Sequence, residues 1–515
     1  MDSMAATQEA ISSDPQLVSI ASSLPAIRIR PSQFNARTVA KDGTLLLYNS
    51  FSGAFSGLPP HAREKAEALL HKEGTSVEQT GIAKYMLDRG FLVPDTANEL
   101  NKFRALYGFQ HYRSDWMSLV LLASEECNFR CVYCYESYAR GTMEPWVRQA
   151  IVAMAERRIK ELRRLEISWF GGEPLLGLDA IRDISPRLQD LARENHVNFS
   201  SSMTTNGFLL TQEVLAELLG YGVSFFQISL DGSPTDHDCK RGLKGGGASF
   251  QTIYDNLKAA RHLSDQFTIL IRVNFDKDNL SRVPGFLDML KLDFGNDPRF
   301  QLMFHPVNQW GGANDDQLNV CGSTEYSSRM DLLKAADTMG LKQLARLPRM
   351  QGPTGATVCR AARPFALLIG ADGKIMKCTL PLDQKDYNVL GHLNLDGTTD
   401  IDPEKFDRWV TPVFDDDEVC KKCFYLPVCQ GNRCPNARFG GSRPCPDEKT
   451  NIVATLNSLW EQRSPSANQY RVEETGPAVR IENAQAVNEL ESGRVSNTTQ
   501  PISLRLTNEE LPTTV

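Results

Sequence analysis

Six short apolar runs recur through the middle of the chain, each ending near a small or polar residue: Ser118–Ala123, Leu165–Phe170, Phe199–Thr204, Ser224–Leu230, Thr268–Asn274 and Gln301–His305. Their length and their turn-forming ends predict strands. Between them, helical patterning runs over Glu144–Leu162, Thr211–Leu219, Phe250–Ser264 and Val283–Leu290. Strands and helices alternating at this spacing predict a parallel sheet with helical crossovers. The units are too few for a closed eight-stranded barrel. The expected fold class is therefore α/β, an open, partial (β/α)6 TIM-like barrel. In such sheets chemistry gathers at the carboxyl ends of the strands.

The flanks read differently. Residues 1–25 are small and polar and are expected to be disordered. Thr44–Asn49 and Ala54–Leu58 read as strands around a Ser52-Gly53 turn, and Pro60–Lys72 and Gln79–Arg89 as helices, closing on Gly90-Phe91-Leu92-Val93-Pro94. This predicts a small α+β module over residues 26–115, ahead of a core over 116–320. Residues 321–462 hold many cysteines and turns and end in a helix at 448–462. Residues 463–515 are polar without a period and are expected to be largely disordered.

Composition narrows the class. The chain has 515 residues and a net charge of -7; a duplex-DNA binder usually carries a basic excess, so nucleic acid is a poor expectation. No apolar run approaches the roughly 20 residues needed to cross a bilayer, so no membrane partner is expected. The first 24 residues lack the basic start and apolar core of a signal peptide. The expected location is the cytoplasm. There, closely spaced cysteines more often bind metal than form disulfides. Ten of the 12 cysteines fall in two groups, at 127–134 and 359–445.

The first group is Cys127, Cys131 and Cys134, a C-x3-C-x2-C placed just after the first strand. Three thiolates on one loop suit three irons of a cubane and leave the fourth iron open. Structural zinc would want a fourth ligand, and none is close in sequence. Further motifs follow in order at strand ends: Gly171-Gly172-Glu173-Pro174, then Thr205-Asn206-Gly207, then Ser229-Leu230-Asp231-Gly232. His237-Asp238, Arg241 and Gly247-Ala248-Ser249-Phe250 come next.

This succession, with an aromatic residue (Tyr133) before the last cysteine, resembles the radical S-adenosylmethionine (SAM) superfamily, in its peptide- and protein-modifying branch. The resemblance implies a [4Fe–4S] cluster on Cys127, Cys131 and Cys134 whose open iron chelates SAM. It implies reductive cleavage to a 5′-deoxyadenosyl radical that abstracts hydrogen. Tyr133, Gly171, Gly172, Glu173, Asn206, Ser229, Asp231 and Arg241 are the implied SAM contacts, with Glu173 pairing the SAM ammonium. Taken singly, the Gly171-Gly172 and Asp231-Gly232 pairs would read as plain turns.

The second group reads Cys359-x13-Gly373-x4-Cys378, then Cys420-x2-Cys423-x5-Cys429-x4-Cys434, then Cys445. It resembles the SPASM domain, which holds two auxiliary [4Fe–4S] clusters, giving three clusters in all. The family usually has three residues where Gln430–Arg433 has four. By resemblance, Cys359, Cys378 and Cys434 hold auxiliary cluster I, and Cys420, Cys423, Cys429 and Cys445 hold auxiliary cluster II. Pro353 stands where some members carry a further cysteine, so auxiliary cluster I is expected to have an open iron, unless Cys321 or a bound substrate sulfur fills it. By spacing alone, zinc is the competing reading. Cys239 and Cys321 lie outside both groups. They are expected to be small buried apolar residues, and are also the thiol candidates if a hydrogen donor is needed.

The N-terminal module resembles the recognition element of peptide maturases, which binds a leader peptide as an added strand. Sulfatase-maturating relatives place Asp after the cysteine matching Cys378; here it is Thr379. The expected function is modification of a ribosomally made precursor peptide with a leader, forming a thioether or other crosslink, with electrons from a flavodoxin or ferredoxin type donor. The alternatives are peptide epimerisation, sulfatase-type formylglycine formation, and a non-catalytic Fe–S binding protein.

Overall fold

A computed structural model describes residues 25–344 and 359–461, apart from 139, 383 and 432–433, together with a short strand pair of Val472–Glu473 with Arg480–Ile481. The segments expected to be disordered, and Pro353, lie almost wholly outside the described residues. Two compact units divide the chain: one runs to Glu99 and resumes at Leu456, the other spans Leu100–Thr455.

In the larger unit six parallel strands stand side by side in chain order: β1 (Trp116–Ser124), β2 (Arg164–Gly171), β3 (Asn198–Thr205), β4 (Val223–Ser229), β5 (Thr268–Phe275) and β6 (Phe300–Pro306). The crossovers contain α1 (Pro145–Arg158), α2 (Leu178–Glu194), α3 (Gln212–Gly220), α4 (Phe250–Ala260) and α5 (Val283–Phe294). This is the expected open barrel. Period-2 alternation sorts its faces. Leu165, Ile167 and Trp169 of β2, Ile269, Ile271 and Val273 of β5, and Phe300, Leu302 and Phe304 of β6 are buried in one apolar core with the helices. Arg164, Glu166 and Ser168, then Arg272 and Asn274, then Gln301, Met303 and His305 stand on the opposite, inner face. The barrel lumen is therefore polar.

Helix α2, not among the helical stretches expected, contains Pro186, and proline usually breaks a helix. Ala180, Ile181, Ile184, Leu188 and Ala192 recur along it at helical spacing and are all buried; that apolar stripe outweighs the proline.

The sheet does not stop at β1. Strand Ala366–Ile369 pairs with β1 in parallel, and Lys374–Met376, Gly391–Leu393 and Thr399–Ile401 extend it as an antiparallel meander. All nine residues of β1 are buried. Leu119 and Leu121 face the helices, and Val120 and Leu122 pack on Leu368, Met376 and Leu382.

The smaller unit holds two three-stranded antiparallel sheets. One orders Thr75–Val77, Ile27–Pro31 and Leu92–Pro94; the other is Asn35–Val39, Leu45–Asn49 and Phe55–Leu58. Helices Pro60–Leu70 and Gly81–Asp88 complete it. Ile29, Leu45, Leu47, Leu58, Ala66, Met86 and Phe91 make its core. Asn49 Nδ2 donates to Ser32 Oγ at 3.0 Å, Asn35 Oδ1 at 2.9 Å and Gly90 O at 2.8 Å, gathering three segments. The unit ends at Glu99, short of the expected 115. The reason is helix Glu99–His111, whose Phe103, Tyr107 and His111 form a stripe at i, i+4, i+8. Phe103 and Tyr107 set their rings 5.1 and 5.2 Å from that of Phe414, and His111 Nε2 lies 2.8 Å from Val410 O.

Candidate functional site

The loop after β1 brings Cys127, Cys131 and Cys134 together. Backbone bonds pin it to the segment after β4: Arg130 N donates to Gly242 O at 2.8 Å, Val132 N to Lys240 O at 2.9 Å, and Lys244 N to Asn128 O at 2.7 Å. Burial pushes the Cys127 thiol up to about 12, with the charges of Cys131 and Cys134 adding to it. Burial likewise lifts Cys131 to about 11, against the pull of Arg241, and raises Cys134. Three enclosed thiols that repel one another's charge keep their protons unless a cation lies among them. That is the chemistry of a metal-cluster ligand set, since metal binding releases those protons.

The ends of β2 and β3 close around this loop. Gly171 has φ +130°, and a Cβ on it would lie 2.0 Å from Ser124 O; on Gly172 it would lie 2.7 Å from Glu126 O. Only glycine allows the chain to pass so close behind the cysteine loop. Glu173 is fully buried. Its carboxylate accepts from Thr205 Oγ1 at 2.7 Å, Asn206 N at 2.8 Å and Leu175 N at 3.0 Å, which opposes the upward shift that burial gives it. An ionised carboxylate has about four acceptor positions, and these bonds fill three of them. Asn206 reaches the cysteine loop directly, Nδ2 to Asn128 Oδ1 at 2.7 Å.

A second cluster of polar groups forms where β4 and β5 end. The Tyr133 hydroxyl donates to Asp231 Oδ2. It accepts from Arg241 Nη1 at 2.8 Å and Asn274 Nδ2 at 3.2 Å. Asn274 Nδ2 also reaches Asp231 Oδ1 at 2.9 Å, and Asn279 Nδ2 holds Asp231 O at 2.7 Å. Asp231 N donates to His237 Nδ1 at 3.3 Å, so the proton of this imidazole is on Nε2, facing Ser249 Oγ at 3.1 Å. Ser249 Oγ donates in turn to Arg241 O at 2.7 Å. Desolvation and the Arg241 charge hold His237 near 3. Arg241 Nε is buried without a hydrogen-bond partner among the described residues. An enclosed guanidinium N–H beside the cysteine loop fits an anionic ligand such as a carboxylate. Ser229, the last residue of β4, is half-buried beside this group.

In the second cysteine group the buried thiols act on one another's charge. Cys378 is pushed to about 12 by burial, with Cys359 and Cys434 both acting on it. Cys429 is pushed to about 12 by burial, with Cys423, Cys420 and Cys445 acting on it. The latter four line one pocket with Arg438, Arg443 and Lys449. Asp417 organises its wall. Its carboxylate caps Val419 N at 3.0 Å and Cys420 N at 3.2 Å, and pairs with Arg438 at 2.9 Å and Arg443 at 2.8 Å. Among the described residues no group of His, Cys, Asp or Glu is arranged to hold a single metal ion; a cubane spreads its thiolates around a cage rather than one centre. Tyr135 follows Cys134 in the chain. The charges of Cys134 and Cys378 both reach its hydroxyl, as does that of Arg272.

One expectation needs correction. Cys239 is exposed, not buried, because the short helix Pro234–Lys240 turns it outward while Asp236, His237 and Lys240 face in. Cys321 is buried as expected, but its charged neighbours are Asp276, Glu325, Lys277 and Lys240 rather than the Cys359 set. The sequence reading missed Asn274, Asn279 and Arg272. Asn274 was visible as the polar end of a strand, the place where the other site residues lie.

Residues 121–290 match the family model described as the Radical SAM superfamily. The chain carries a radical SAM domain. Such a domain uses SAM and a [4Fe–4S] cluster, and the three thiols and the unpartnered Arg241 N–H fit that pair. Among curated relatives, the cysteine-type anaerobic sulfatase-maturating enzyme of Clostridium novyi is 25% identical over 353 residues, covering 62% of this chain and 88% of its own length. Among solved structures, anSMEcpe with bound AdoMet and Cp18Cys peptide is 17% identical at a TM-score of 0.47, covering 67% of this chain and 99% of its own. SuiB of Streptococcus suis bound to precursor peptide SuiA is 14% identical at a TM-score of 0.45, covering 80% and 97%. No helix among the described residues is long and apolar enough to cross a membrane.

Proposed function

We propose that this radical SAM enzyme modifies a ribosomally made precursor peptide inside the barrel lumen, forming a thioether or other crosslink. The single observation behind this reading is the pairing of Ala366–Ile369, shortly after Cys359, with β1, which leads into the first cysteine loop. It draws both cysteine regions onto one sheet, and the charges of Cys134 and Cys378 both reach Tyr135. A substrate held there would lie between a cluster that starts the reaction and one that can take up an electron at its end. Crosslinking needs that second one-electron step; simple hydrogen abstraction does not.

In this reading Cys127, Cys131 and Cys134 hold the SAM cluster. Cys359, Cys378 and Cys434 hold auxiliary cluster I, and Cys420, Cys423, Cys429 and Cys445 hold auxiliary cluster II. When bound, the first cluster supplies the electron that cleaves SAM to a 5′-deoxyadenosyl radical. Arg241 and the last acceptor position of Glu173 orient the SAM carboxylate and ammonium. The polar inner face of β2 to β6 receives the peptide. The smaller unit binds the leader, which adds as a strand to an open edge such as Asn35–Val39 or Thr75–Val77. A flavodoxin or ferredoxin type protein supplies electrons.

The Clostridium novyi relative gives a second reading, sulfatase-type maturation, which the buried Thr379 in place of an acid disfavours. Incubation of the reconstituted protein with SAM, reductant and the short peptides encoded beside it separates the two. A peptide lighter by two hydrogens, with 5′-deoxyadenosine formed alongside, supports crosslinking. Conversion of a sulfatase cysteine or serine to an aldehyde, with the neighbouring peptides unchanged, would replace it.

A further inference from the structure

Arg360 follows Cys359 and opens the short turn Arg360–Ala362. Part of the side chain keeps surface exposed, but its Nη1 is enclosed and has no hydrogen-bond partner among the described residues. A buried N–H left unmade is costly, and in a native fold it points to a missing acceptor. The charges of Cys359 and Cys378 both act on this guanidinium, so it borders the space those thiols share with Cys434.

The surroundings are rich in positive charge. Arg363 lies over the Trp116 ring at 3.8 Å and reaches Glu166 only at 3.7 Å. Lys377 is buried, with Nζ donating to Arg363 O at 2.6 Å and Ala366 O at 2.7 Å. Glu166 is the carboxylate whose charge reaches both arginines. The Arg360 guanidinium, which keeps its proton at any working pH, thus stands beside Cys359 and Cys378. Net charge and hydrogen bonds to the sulfurs are among the levers that set an Fe–S potential.

We propose that Arg360 is a positioning residue for the cluster on Cys359, Cys378 and Cys434: its Nη1–H donates to a sulfur of that cluster and favours its reduced form. The inference rests on the reading above that this set holds a cluster. A donor to sulfur and a fixed positive charge both stabilise added negative charge, so the midpoint potential rises.

The test is iron and sulfide counting with an EPR-monitored redox titration of the full-length reconstituted protein, wild type against Arg360→Gln. The expected result is an unchanged potential for the SAM cluster and a lower one for the cluster on the Cys359 set. A tenfold loss in its reduced-to-oxidised ratio at fixed potential would read as about 59 mV for one electron. Equal potentials in the two proteins overturn the inference. Should Arg360→Gln fail to load, Arg360→Lys keeps the charge but not the forked donor. A potential below wild type then supports the inference, and one equal to wild type overturns it. A wild-type protein whose iron does not fall on Cys378→Ala would instead remove the underlying cluster assignment.

Discussion

Arg241 Nη1 donates to the Tyr133 hydroxyl at 2.8 Å, tying the cysteine loop after β1 to the segment after β4. The same hydroxyl serves Asp231 and Asn274. Tyr133→Phe leaves buried polar groups short of a partner, at a cost of about 1–3 kcal/mol. SAM affinity is expected to weaken by roughly tenfold, since about 1.4 kcal/mol is one decade. Equilibrium SAM binding and thermal unfolding check this; if neither changes, the hydroxyl is not a strut of the site.

Acid should loosen the larger unit before it reaches the carboxylates. Burial holds His237 and His305 near 3 and His111 near 4, with nearby Arg241, Arg272 and Lys377 adding to the shift. Their folded values lie below the unfolded 6.5, so the unfolded chain binds more protons between them. Their contribution is complete above about 6.5 and is lost as pH falls, at about 1.4 kcal/mol per pH unit for each histidine. Urea midpoints should therefore drop steeply from pH 7 to 5. A flat profile over that range would contradict the burial of these rings.

Gly171→Ala drives a Cβ to 2.0 Å from Ser124 O, at a φ of +130°. Backbone is on both sides and cannot step aside. Expected outcomes are loss of the SAM cluster, read as iron per chain, and a fall in soluble yield. Gly285→Ala is the control: nothing lies within 4 Å of the new Cβ, and in helix α5 alanine is favoured over glycine by up to about 1 kcal/mol.

Cys127→Ala and Cys423→Ala should each remove about four irons per chain if each residue ligates its own [4Fe–4S] cluster. Only the first is expected to abolish 5′-deoxyadenosine formation. Equal iron in Cys423→Ala and wild type would leave the distal set without a cluster.

Asp417→Ala removes the cap over Cys420 and the shared partner of Arg438 and Arg443. Loss of such a cap costs about 0.5–2 kcal/mol. Iron should be lost more readily from this variant than from wild type on mild chelation; identical loss rates would argue that the pocket is organised otherwise.

The barrel was legible because its signals are local: each strand is a short apolar run closed by a turn residue, and each motif sits at such an end. Strand Ile27–Pro31 was missed although Ile27-Arg28-Ile29-Arg30 alternates cleanly. The pairing of Ala366–Ile369 with β1 joins segments some 250 residues apart, and nothing in a one-dimensional pattern reports a neighbour that distant. In the site, spacing marked the first three-cysteine loop, while the division of the later cysteines came from the family resemblance. Asn279 was not legible, because it acts through a bond to Asp231 O, a group remote in sequence. Cys239 misled because cysteine is usually buried, whereas a helix turn decides which way one residue points.

Because β1 has a strand on each side, it is no edge. The backbone N–H and C=O groups at the root of the first cysteine loop are shared between β2 and the start of the cysteine-rich region. Cutting the chain before residue 359 would not release a smaller working barrel. It would bare a long, flat, apolar edge of the kind that recruits other chains. The loop that holds Cys127 and the turn that holds Cys359 hang from the same ladder, so a slip in that ladder would move both sulfur sets together.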